Sequence, residues 1–268
     1  MKVRTLPAVV AATLLFAATA PAQAATLTVN ITNLTAGFQF TPRLLVAHNL
    51  NAPNTPLFIS GTPASDGLIA IAEGGNTEPL ATLLDTDTAS QTNATFGGLV
   101  GPAAISADYT FDSQDFTHLS MLSMLIPTND AFVGLSNWEI PTEPGTYTVN
   151  INAYDSGSED NDEINSATTT LTTSSGTPFG GAPGYPGMAT PPPTQPLLGS
   201  GAIGLGVTTA NGVLSVDADN PNGGEGNVHI HRNTLGDADA TGGLSDLDAT
   251  VHRWLNPVAR LTVTVPAQ

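Results

Sequence analysis

Cysteine is absent from the 268 residues, lysine occurs once, and six bases in all face 23 acids. Without cysteine there is no disulfide framework, so stability must come from burial or from a bound metal. So few cations leave the chain repelling nucleic-acid phosphates instead of releasing their counterions, which excludes DNA and RNA as partners. Anionic membranes are disfavoured as well, unless a cation bridges them. Charge of either sign is scarce, at 11% of residues against roughly 25% in an average globular chain. Yet with 40% hydrophobic residues the chain is too apolar for a disordered acidic tail, and 27 Gly and 21 Pro break it too often for a helical bundle. A β-rich soluble domain is the class that remains.

Long apolar runs are also missing, except at the start. There Met1-Lys2-Val3-Arg4 precedes an apolar stretch from Ala8 to Ala20 and then Ala22-Gln23-Ala24, the order of a secretory signal peptide. Cleavage is expected after Ala24. The apolar stretch is shorter than the roughly 18 residues that a membrane-spanning helix needs, and no later segment approaches that length. The expected product is therefore not transmembrane but secreted, either extracellular or held in the periplasm or cell envelope. Loss of Lys2 and Arg4 deepens the formal charge from −17 to −19. The Ala-x-Ala site and the missing disulfides point to a bacterial exported protein, with residues 25–268 forming one domain.

Strands are predicted where apolar residues alternate between Asn, Gly or Pro boundaries: Leu27, Val29, Ile31; Leu119, Met121 and the run Met124-Leu125-Ile126; Tyr147, Val149, Ile151; and Leu261, Val263, Val265. Leu44 to Ala47, Leu57-Phe58-Ile59 and Val213 to Val216 are shorter candidates. One short helix is predicted, from Ser65 to Glu73, with Ser65 as cap and Leu68, Ile69 and Ala72 on one face. The spacing predicts an all-β fold, an antiparallel sandwich and not βαβ units. From Thr173 to Gly206 the composition shifts to Ser, Gly and Pro, which reads as a long insertion within that domain, reaching about Gly226. Trp254 and Phe132 are expected in the core.

The densest chemistry follows the strand that ends near Ile151. Asp155, Glu159, Asp160, Asp162 and Glu163 crowd into one loop and repel one another unless water or a hard divalent cation offsets the charge. Ca²⁺ suits such a loop, because it takes carboxylate and carbonyl oxygens at flexible geometry; a solvated acidic turn is the plainer alternative. The loop is not an EF-hand counted from Asp155, since Asp160 occupies the place of the turn glycine. Asp130 lies just past the hydrophobic run ending at Ile126. Loops at one end of a sandwich converge, so Asp130 and Asp155 can share a cation.

These segments resemble the spondin domain family, the F-spondin amino-terminal and mindin-like module, in its bacterial single-domain exported form. Four stretches carry the resemblance, in family order: Thr41-Pro42 to His48-Asn49; Gly61 to Gly67 with Ala72 to Asn76; Pro127 to Gly134 with Tyr154 to Glu159; and Asn256 to Val263. The resemblance implies a C2-like β-sandwich holding calcium at one end. The family's loop aspartate falls on Asp130, and its Asp-x-Gly-x-Asp motif falls on Asp155 and Glu159, with Glu in place of the second Asp. A further family carboxylate lies upstream of the Asp130 strand, where either Asp112 or Asp115 is available. The implied role is a calcium-binding adhesion or binding module for an extracellular protein, glycan or lipid surface, and not an enzyme. An exported hydrolase at the same acidic end, or a structural envelope or matrix protein, is the alternative.

Two other patterns bear on metals. Asp237 to Asp248 follows the spacing of a twelve-position calcium loop, but with Asp at the last position and no flanking amphipathic helices, so an acidic surface loop is the preferred reading. His229-x-His231 with His252 offers zinc or copper ligands, although dispersed histidines in a β protein are more often solvent-facing or hydrogen-bonded.

Overall fold

In Thr26–Asn33, Leu27, Val29 and Ile31 are fully buried and the residues between them partly exposed, the two-residue period of a strand with one face on a core. The computed structural model describes residues 26–126, 128, 130–158, 226–233 and 252–267. Among these are ten strands: β1 Thr26–Asn33, β2 Gln39–Phe40, β3 Arg43–His48, β4 Gln91–Phe96, β5 Tyr109–Asp112, β6 His118–Ile126, β7 Ala131–Glu139, β8 Gly145–Asp155, β9 His229–Ile230 and β10 Ala259–Val265. They pair antiparallel in the order β4-β3-β6-β7-β8-β10-β1-β5, with β2 on β6 and β9 on β8.

β8 joins the two halves of this sandwich-like sheet. Its first part, Gly145 to Ile151, pairs with β10, and its last residues, Asn152 to Asp155, pair with β7. Folding the halves together encloses the main core, in which Leu27, Val29 and Ile31 of β1 meet Leu45, Met121, Val133 and Leu261. The alternate residues Leu44, Val46, Leu122 and Phe132 face outward, where two helices cover them. Both faces of β3 and β6 are thus buried, which explains their near-continuous apolar runs.

The helix α1, Asp66–Gly74, starts where expected, with the Ser65 hydroxyl accepting the Leu68 N–H at 3.3 Å. A second helix, α2, Glu78–Leu84, corrects the expectation of only one. Pro79 occupies its first turn, and Leu80 and Leu84, one turn apart, are buried. Seven residues with two buried apolar positions carry too little periodicity to be read locally; packing on α1 decides them. Gly67 of α1 makes that packing possible, since a Cβ there would lie 2.9 Å from the Leu80 Cβ.

Leu57-Phe58-Ile59 is not a strand. It lies between prolines and joins no ladder; Leu57 is buried, and the Phe58 ring packs edge-on against Phe132 at 5.1 Å. The edge strands β4 and β5 and the strand β7 add to those predicted. Trp254 and Phe132 are in the core, as expected. The signal segment, the Thr173–Gly226 stretch and Val213–Val216 lie outside the described residues, apart from Gly226 itself.

Candidate functional site

The pairing of Ala131 with Asp155 across β7 and β8 sets Asp130 beside the end of β8. Both aspartates are fully buried. Asp130 Oδ2 accepts hydrogen bonds from the Ser156 hydroxyl and the Ser158 backbone N–H, each at 2.9 Å, and the Ser156 N–H donates to the Asp130 carbonyl at 3.2 Å. Asp155 turns on itself, its Oδ1 accepting the Gly157 N–H at 2.7 Å, which is the local bond that makes Asp-x-Gly a turn sequence. On the other side, buried Thr128 shapes the approach to Asp130: its hydroxyl donates to the Leu125 carbonyl at 2.5 Å and accepts the Ala131 N–H at 3.1 Å.

Gly157 fixes how close a third segment comes. Its φ is +73°, and a Cβ would lie 2.5 Å from the Asn227 carbonyl oxygen. The Gly226 N–H donates to the Gly157 carbonyl at 2.8 Å, and β9 then runs along β8 with His229 opposite Asp155. The imidazoles of His229 in β9 and of His231 just past it flank that carboxylate, with Asp155 Oδ2 at 3.8 Å from His229 Nε2 and 3.7 Å from His231 Nε2. Burial, with a smaller contribution from His229, lowers the His231 pKa to about 4, so this ring brings no positive charge to Asp155 at neutral pH.

The sequence-predicted residues therefore separate. Asp130 and Asp155 come together; Glu159 and the Asp237–Asp248 loop lie outside the described residues. Asp112 is at the other end of the sheet. Its level follows from the ladder Thr110 to Thr28 to Thr264 to Thr146, and Thr146 to Asp155 spans about 30 Å at ~3.3 Å per residue. Asp112 and Asp115 are both exposed there, and Asp112 accepts the Gln114 N–H at 2.9 Å. Among the described residues His229, His231 and His252 form no three-ligand metal group. His252 packs edge-on against Phe38 at 5.5 Å and His231 against Trp254 at 5.0 Å. Unforeseen were Ser156 and Ser158 as donors to Asp130, and β9 beside Asp155. The serines had a local signal in Asp155-Ser156-Gly157-Ser158; the docking of β9 had none.

A family model described as Spondin_N matches residues 33–176, more than half of the chain. The chain belongs to the Spondin_N family. The matched span contains both helices, β2 to β8 and the Asp130 and Asp155 loops. Spondin_N membership makes this an extracellular type of binding or adhesion module from a non-enzymatic family. Among curated proteins none matches the chain. Among the described residues no helix is long and apolar enough to cross a membrane.

The donor chemistry fits a hard cation in kind: two buried carboxylates and serine hydroxyls are oxygen ligands of the type calcium takes. In number the described residues stop short, since they contain no group of three or more His, Asp or Glu that could hold a metal.

Proposed function

We propose that this Spondin_N protein is a secreted binding module whose acidic loop end is ordered by Ca²⁺, with Asp130 and Asp155 as ligands and Glu159 as the third. The burial of two carboxylates at the ends of adjacent strands carries this reading, because a buried charge is retained only when paired or coordinated. A bound divalent cation supplies positive charge there and ties the loops together. The chain's own part is preorganisation: Ser156 and Ser158 hold the Asp130 carboxylate, and the Gly157 turn holds that of Asp155. Membership in a non-enzymatic family favours binding over an exported hydrolase at the same end.

Thermal unfolding in calcium and in chelator tests the proposal. Calcium at a hundredfold excess over Kd stabilises by about 2.7 kcal/mol, or about 5–10 °C in Tm for a domain of this size. Asp155→Asn is expected to remove most of that gain. Identical melting curves with calcium and with chelator in the unmutated protein sink the reading.

A further inference from the structure

Arg43, at the start of β3, is a charged residue buried to 1% exposure, and its pairing with Phe96 of β4 places both at one edge of the main core. Among the described residues its guanidinium touches only neutral groups. Nη1 donates to the carbonyls of Thr41 and Gly98, and the cation lies over the Phe96 ring with Cζ 4.8 Å from the centroid. Among the described residues no carboxylate is within ion-pair distance of it, and the buried Nε has no hydrogen-bond partner. Burial lowers the Arg43 pKa to about 10, which still leaves it charged at neutral pH. A buried cation facing only neutral partners is costly, and an anion supplied from outside would offset the cost.

There is room for one. Arg43 lines an open cleft of about 240 Å³ beneath the loop from Gly97 to Asp108. That loop bridges the two halves of the sheet: Val100 exchanges backbone hydrogen bonds with Phe40, and the Ser106 N–H reaches the Ile31 carbonyl. Its first glycine admits the guanidinium, since Gly97 has φ +72° and a Cβ there would fall 1.7 Å from Nη2. The walls mix polar backbone and Ser106 with a few apolar side chains. Phe96 and Tyr109 stack at 4.4 Å with 12° between their planes, and Val100 and Ile105 also line the cleft. Exposed Asp108, held at the rim by Asn30 at 2.7 Å, repels an anion with several charges.

We propose that the Arg43 cleft binds a small organic monocarboxylate with a flat apolar body, its carboxylate completing the Arg43 guanidinium and its body lying against Tyr109 and Ile105. This site shares no residue with the acidic loop end and does not depend on calcium.

Benzoate tests it, followed by calorimetry and by the Arg43 Nε–H cross-peak in NMR, with benzamide as the neutral isostere and inorganic phosphate as the simple anion. Benzoate is expected to saturate and to shift that cross-peak, with benzamide and phosphate each binding about ten- to a hundredfold more weakly, the factor carried by a charge-assisted pair or by the apolar side chains of the cleft. Arg43→Met is expected to abolish benzoate binding. Should that variant fail to fold, Ala107→Trp, at an exposed position lining the cleft, blocks entry in an intact core. Benzoate bound equally well by Ala107→Trp, matched by benzamide or by phosphate, or not bound at all, overturns the proposal.

Discussion

Gly157→Ala isolates the contact that brings β9 to the acidic loop. Two costs arise there. An L-residue at φ +73° is strained by about 1–2 kcal/mol, and a Cβ 2.5 Å from the Asn227 carbonyl forces a backbone shift of the kind that costs about 1–3 kcal/mol. The reduced entropy of the unfolded chain returns about 0.4–1 kcal/mol, leaving a net loss of about 1–4.5 kcal/mol. Two other glycines separate these contributions. Gly226 has φ +82° and open space where a Cβ would go, so Gly226→Ala carries strain alone and should lose about 0–1.5 kcal/mol. Gly101 has neither a positive φ nor a near neighbour, so Gly101→Ala should be neutral or slightly stabilising. Urea unfolding of the three variants gives the free energies directly, provided the slopes agree. Equal losses for Gly157→Ala and Gly226→Ala would mean that Asn227 does not seat against Gly157, refuting the described position of β9.

Asn33, fully buried at the end of β1, donates to the carbonyls of Phe38 and Val100 and accepts from the Thr35 N–H and hydroxyl, all at 2.7–3.0 Å. Asn33→Ala strands these groups and should cost about 2–4 kcal/mol in denaturant unfolding, whereas a loss below about 1 kcal/mol would show that water replaces the side chain. His48, buried against Ser120 at 2.9 Å, has its pKa lowered chiefly by burial, with the stacked His118 ring adding to the effect. The unfolded chain therefore binds the His48 proton more readily. Stability from the neutral ring is full above pH 6.5 and is lost as pH falls from there through the lower folded-state value. His48→Gln should flatten the fall of Tm across that acid range, and an unchanged pH profile would count against the assignment.

The Spondin_N resemblance, the strands β1, β3, β6, β8 and β10, the α1 cap and the pairing of Asp130 with Asp155 were all legible in residue order. The reason is local: period-two burial, a Ser cap and an Asp-x-Gly turn are each written within a few neighbouring residues. The edge strands β4 and β5 were not legible, because Gln91–Phe96 and Tyr109–Asp112 are short and polar and become strands only by adding to β3 and β1. Tertiary structure alone removed Asp112 and Asp115 from the acidic end, since sheet register sets which loops share an end and no local pattern encodes it. It alone brought His229 and His231 to Asp155 across the intervening chain. The shortage of bases likewise changed meaning: composition determined that the chain is acidic, but only folding decided that Arg43 is buried with no carboxylate partner among the described residues, because counterions are chosen by proximity in space.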